Sequence, residues 1–131
     1  MALFMHLRLR GEEQAPAIAR RAAAALLRGA VPVDVEMVSL LVNELVVRVL
    51  QRAAPDRPVD VRLEATPTLL RVNVAAANGE ATSAEPPAAG GTLNAGWTLL
   101  MIDRVAHRWG VEDDRALRVW FEVDLDSVEV P

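Results

Sequence analysis

The stretch DVEMVSLLVNELVVRVLQR, residues 34–52, places charged and amide side chains at intervals within an otherwise apolar run. Asp34, two residues after Pro32, suits a helix N-cap, and Val35, Val38, Leu41, Val42, Leu45, Val46 and Val49 follow at helical spacing. The stretch therefore predicts a long amphipathic helix whose wide apolar stripe belongs to a core. On another face Glu44, Arg48 and Gln51 or Arg52 recur at four- and three-residue steps and stack along the helix. By spacing alone, Glu44 and Arg48 form an exposed ion pair, a kind of contact that contributes about 0.2–0.5 kcal/mol.

Working outward, the 131 residues make one domain, long enough to bury a core without a covalent or metal staple. There is no cysteine, which excludes disulfides, thiol nucleophiles and thiolate metal sites. Only His6 and His107 are histidines, too few for a histidine-rich metal centre. The net charge is −4 and the arginines are dispersed, so the electrostatic footprint of a nucleic-acid binder is missing and the expected partner is a protein or a small molecule. All 14 basic residues are arginine and alanine is abundant, a composition that fits the codon bias of a GC-rich bacterial genome. No apolar run has the roughly 18–20 residues of a membrane span, and the N-terminus has no secretory pattern, so a soluble, cytoplasmic protein is expected.

Leu3, Met5, Leu7 and Leu9 alternate with Phe4, His6 and Arg8, the two-residue period of a half-buried strand, with His6 on its outer face. Residues 14–28 read as a helix opened by Pro16, closed by Gly29 and packed through its alanines with Ile18, Leu26 and Leu27. After residue 52 come two strand-like runs, 59–64 and 69–74, joined by the turn 65–68. Residues 75–93 are rich in Ala, Gly, Pro, Ser and Thr and predict a lid-like loop. Asn94 is placed to cap a helix running to about His107, which Arg108, Trp109 and Gly110 close. An acidic turn, 112–114, precedes a last strand or hairpin in which Leu117, Val119, Phe121 and Val123 alternate with Arg118, Trp120 and Glu122. This order predicts an α+β two-layer sandwich, a mostly antiparallel sheet with helices on one face. Trp120, out of phase with the apolar row, is expected to be exposed and is a candidate interface residue.

Three local sequences, taken with that order, resemble the GHKL (histidine kinase-like) ATPase fold, in its bacterial anti-sigma factor and serine protein kinase branch. They are Asn43-Glu44-Leu45-Val46-Val47-Arg48-Val49, Gly96-Trp97-Thr98-Leu99-Leu100 with the later Arg108-Trp109-Gly110, and Val119-Trp120-Phe121. The resemblance covers nearly the whole chain. It implies a nucleotide between the central helix, the end of the hairpin and the lid. It also implies a glutamate as general base for phosphoryl transfer from ATP to a partner serine, an asparagine holding magnesium, and an aspartate reading the adenine amino group.

On that pattern Glu44 keeps the base position, but Arg48 stands where the magnesium-binding asparagine belongs and Ala76 where the adenine-reading aspartate belongs. Gly96 and Thr98 fall in the segment that usually reads Gly-x-Gly-Leu, and Gly79 follows the hairpin, so Arg48, Ala76, Gly79, Gly96 and Thr98 delimit a degenerate nucleotide site. A guanidinium has no lone pair for a metal, and alanine has no acceptor for an amino group. The resemblance then implies a regulator that binds a sigma factor or a STAS-type antagonist, in partner switching and as a homodimer, with no cofactor or resident metal. The alternatives are an active serine protein kinase, using ATP or ADP with Mg2+ and Glu44 as base, and a dimerising or small-molecule-binding module. In the last, Val46, Val47, Val49 and Leu50 beside residues 75–77 line a pocket, or are simply core.

Overall fold

The computed structural model describes residues 2–53, 57–76, 96–113 and 117–125. Its elements are β1 (Leu3–Leu9), α1 (Ala15–Leu27), α2 (Val35–Arg52), β2 (Val59–Ala65), β3 (Leu69–Ala76), α3 (Gly96–Val105), β4 (Arg108–Asp113) and β5 (Leu117–Asp124). The five strands form one sheet in the order β1-β2-β3-β5-β4, and every neighbouring pair is antiparallel. Among the described residues the chain is thus α+β, with three helices and an antiparallel sheet. Among the described residues, no helix is long and apolar enough to cross a membrane.

The helix α2 forms where the apolar spacing places it. The Asp34 carboxylate accepts a hydrogen bond from the Met37 N–H at 3.2 Å, satisfying one of the donors left open at a helix start. Val38, Leu41, Val42, Leu45, Val46 and Val49 are all buried, and they meet one row of each strand beneath. That row comprises Val59, Val61 and Leu63 of β2, Leu70, Val72 and Val74 of β3, and Leu117, Val119, Phe121 and Val123 of β5. Alternation along each strand sends these side chains to one side of the sheet, so the core lies between that side and the helices, consistent with a two-layer sandwich.

Helix α1 lies along α2 on a row of small residues, Ala15, Ala19 and Ala23, ending in Leu27. The four-residue step keeps that row on one face, which leaves Ile18 about a quarter turn away and exposed, contrary to its expected place in the packed side. Gly29 adopts φ +77°, the left-handed conformation that a side chain disfavours, and turns the chain away from the helix.

The C-terminal third departs most from the sequence reading. Arg108, Trp109 and Gly110 do not close α3; they open β4, which pairs Arg108 with Glu122, Trp109 with Phe121 and Gly110 with Trp120. The last helical bond runs from Ala106 N–H to Ile102 C=O, and the next N–H, that of His107, already donates to Glu122 C=O at 2.8 Å. A glycine and a tryptophan favour this handover over another helical turn. Glu112 and Asp113 accordingly belong to β4, not to a turn. Ala75 and Ala76 extend β3 into what read as the start of the lid, because their partners Asp60 and Val59 continue the ladder. The rest of the expected lid, and the Asn94 cap, lie outside the described residues.

Replacing Asp34 by Ala removes the cap of α2 without touching the core. We expect a loss of about 1 kcal/mol in unfolding free energy, read as a lower urea midpoint with an unchanged slope.

Candidate functional site

Helices α2 and α3 run side by side with opposite sense. The end of α3 meets the start of α2 around a pocket of about 450 Å³ lined by Asp34, Met37, Val38, Arg104 and Val105 among others. The start of α3 therefore meets the later turns of α2. The Arg48 Nε–H donates to Thr98 Oγ1 at 3.3 Å, and the Arg48 Nη1–H donates to Gln51 Oε1 at 3.2 Å. Thr98 is fully buried, whereas Arg48 and Glu44 are half-buried on the side of α2 that faces away from α1. Gly96 is the first residue of α3, two residues before Thr98 in the same turn.

The expected Glu44–Arg48 ion pair is not formed among the described residues; Arg48 reaches toward α3 instead. The magnitudes account for the choice. An exposed pair at this spacing contributes about 0.2–0.5 kcal/mol, whereas a buried hydroxyl left without a partner costs about 1–3 kcal/mol. Arg48 is the partner that spares Thr98 that penalty, and no buried side-chain polar atom among the described residues is left unsatisfied.

Ala76 ends β3 opposite Val59, the residue at which the chain enters β2 after α2, so it lies at the same end of the sheet as the last turn of α2. It is buried and carries no polar group. The structure thus brings Arg48 and Thr98 into contact, puts Gly96 in the same turn as Thr98 and Glu44 one turn along α2, and places Ala76 at that end of the sheet. Gly79 lies outside the described residues. Asn43, the amide beside Glu44, faces the other way, with its Oδ1 accepting a long 3.5 Å bond from Arg20 of α1. Val46 and Val49, candidates for a pocket lining, are fully buried core, and Val47 and Leu50 are half-buried.

Trp120 is not exposed. It lies on the sheet face opposite the helices, yet only 6% of its surface is accessible. Its cross-strand partners are Asn73 and Gly110, and a glycine opposite an indole leaves room for the ring to lie over the neighbouring strand. Periodicity assigned the face correctly but gave no measure of crowding on it. The residue is thus a packed side chain and not a free interface tryptophan.

Sequence reading also missed the charge network on that face. Arg71 donates to Glu122 Oε2 at 2.7 Å and Arg108 to Glu122 Oε1 at 2.8 Å, while two further nitrogens of Arg108 reach both oxygens of Asp124. The register aligns Arg71, Glu122 and Arg108 across three strands, although 14 residues separate Arg108 from Glu122 and 51 separate Arg71 from it. Burial pushes the Glu122 carboxyl up, but the hydrogen bonds from Arg108 and Arg71 outweigh it and hold the group below the ordinary carboxylate range. The hydrogen bond from Arg108 likewise lowers Asp124. At the other end of the sheet Asp60 is also lowered, because the bonds from Arg8 and His6 prevail over its partial burial. Among the described residues, no group of three or more His, Asp or Glu could hold a metal ion.

Two outcomes follow from these contacts. Arg48→Met should destabilise the fold by about 1–3 kcal/mol by orphaning the Thr98 hydroxyl, and adding Thr98→Val should recover much of that loss, giving a measurable coupling in a double-mutant cycle. For Glu122, Asp124 and Asp60 the folded state holds the carboxyl below its unfolded value, so their stabilisation is complete above the unfolded range near pH 4–4.5. It is lost as pH falls through the lower folded values, and Glu122→Gln should flatten that acid limb in urea titrations at successive pH. No family model matches the chain, and no curated protein matches it in sequence.

Proposed function

We propose that this chain is a regulatory protein of the anti-sigma factor type, built on a degenerate GHKL domain and acting in the cytoplasm by binding a protein. The observation that carries this reading is the engagement of Arg48 by Thr98 and Gln51. At the position where the resemblance calls for a magnesium ligand, the side chain is a cation without a lone pair, already committed to tying α3 to α2. The order of elements, strand, helix, helix, strand, strand, helix and hairpin, is the one the resemblance implies and supports it.

The second support is Ala76. An adenine amino group buried beside it would lack an acceptor, at a cost of about 1–3 kcal/mol. The nearby amide, Asn43, is turned toward α1 and offers no substitute ligand on the Arg48 side. A magnesium nucleotide therefore does not fit this donor set, and no chemical step is assigned to one. Binding energy must come from protein surface, and the partner class that goes with the resemblance is a sigma factor or a STAS-type antagonist.

Titration calorimetry with ATP and with ADP, each with and without magnesium, tests the reading. We expect no heat and no thermal shift at millimolar nucleotide. Magnesium-dependent binding would overturn it. Phosphate transfer to a partner serine that vanishes in Glu44→Ala would establish the kinase alternative instead.

A further inference from the structure

The pocket of about 450 Å³ between the start of α2 and the end of α3 takes no part in the Arg48–Thr98 contact, which lies at the other end of the same two helices. Its floor is apolar and buried, formed by Val38 of α2 and Val123 of β5, and the half-buried Met37 and Val105 make its sides. One wall is the turn at Pro32, closed by a hydrogen bond from Val33 N–H to Val31 C=O at 2.8 Å. A backbone bond across one residue, with the φ of that residue set by a proline ring, fixes the wall in shape before any ligand arrives.

Two opposite charges, Asp34 and Arg104, stand exposed at the mouth. The Asp34 carboxylate accepts from Met37 N–H through Oδ1, which leaves Oδ2 open among the described residues. Arg104 has no hydrogen-bond or ion-pair partner among them, so the two charges flank one cavity without pairing. Each has a local reason to be there, since Asp34 caps α2 and a cation in the last turn of α3 suits the dipole of that helix. Neither reason requires the two to share an apolar pocket.

We infer that this pocket binds a small zwitterion with an aliphatic body, its carboxylate on Arg104 and its ammonium on Asp34 Oδ2. That chemistry is shared by a free branched-chain amino acid and a short apolar peptide. An anion alone would face Asp34 across the mouth, and a cation alone would face Arg104. A molecule carrying both charges meets an opposite partner at each, while its body covers the valines of the floor. The size fits, because small-molecule pockets start near about 300 Å³ and are mostly apolar with a few placed polar groups. A small ligand gripped by exposed charges binds with a dissociation constant on the order of 0.1–1 mM. The inference is independent of the nucleotide reading.

Titration of the full chain with L-leucine and with Leu-Leu, followed by amide chemical shifts in isotope-labelled protein, tests it. At least one should give saturable shifts at Met37, Val38 and Val105, and the tighter of the two identifies the source as an amino acid or a peptide. The same compounds N-acetylated or amidated each lack one charge and should bind about tenfold more weakly. Asp34→Asn retains a helix cap and removes the negative charge, so it should weaken the zwitterion and strengthen the N-acetylated form. Arg104→Gln should weaken both of these and spare the amidated form. Both substitutions replace exposed side chains, and circular dichroism checks that the variants are folded. No saturable shift with either zwitterion, shifts centred away from the pocket, one-charge forms that bind the unchanged protein as tightly, or affinity untouched by both substitutions would overturn the inference.

Discussion

The fold depends on one fit, that of the α2 stripe against a single side of the sheet. Residues spaced at 3.6 per turn must meet residues spaced at two, and the compromise is a continuous layer of Val, Leu and Phe in which most members are fully buried. Because a one-residue slip of any strand would turn its apolar row to the other side, this layer also fixes the register of β2, β3 and β5. The register in turn aligns the charges of the opposite face. The Arg71–Glu122–Arg108 alignment is thus a product of the same constraint that builds the core, although it shares no atom with it.

Much of the architecture was legible where one period dominated. The alternation in β1 gave its residues, and the α2 stripe with Asp34 gave both the helix and its cap. Arg108, Trp109 and Gly110 look like a helix end in the sequence because so short a segment carries no period of its own; its strand identity comes from Glu122, Phe121 and Trp120 on the neighbouring strand. Ala75 and Ala76 look like loop in the sequence for the same reason, since their composition is neutral and their pairing is not.

The candidate site was legible in its residue types but not in its contacts. Spacing brought Glu44 and Arg48 to one face of α2, and the structure agrees. It could not tell that Arg48 would prefer a hydroxyl 50 residues away in sequence, because that preference arises from the burial of Thr98, a property of the assembled helices. Trp120 illustrates the converse. Its face was readable, whereas its burial depends on how large groups share a flat surface with a glycine among them.

The way α3 is attached has a dynamic consequence. Its main packing partner is α2, through the buried Met101 and Ile102 and the Arg48–Thr98 bond, and at its end Ala106 and His107 carry the chain directly into the sheet. Among the described residues, one end is therefore joined to the sheet through the backbone and the other is held by the Arg48–Thr98 contact. Because α2 packs on α1, α3 and the sheet while α3 packs mainly on α2, α3 is expected to open below the free energy of global unfolding, with Ala106 as the hinge. Its amides would then exchange with solvent faster than those of α2, and the Thr98 end would be the first part of the helix layer to lift.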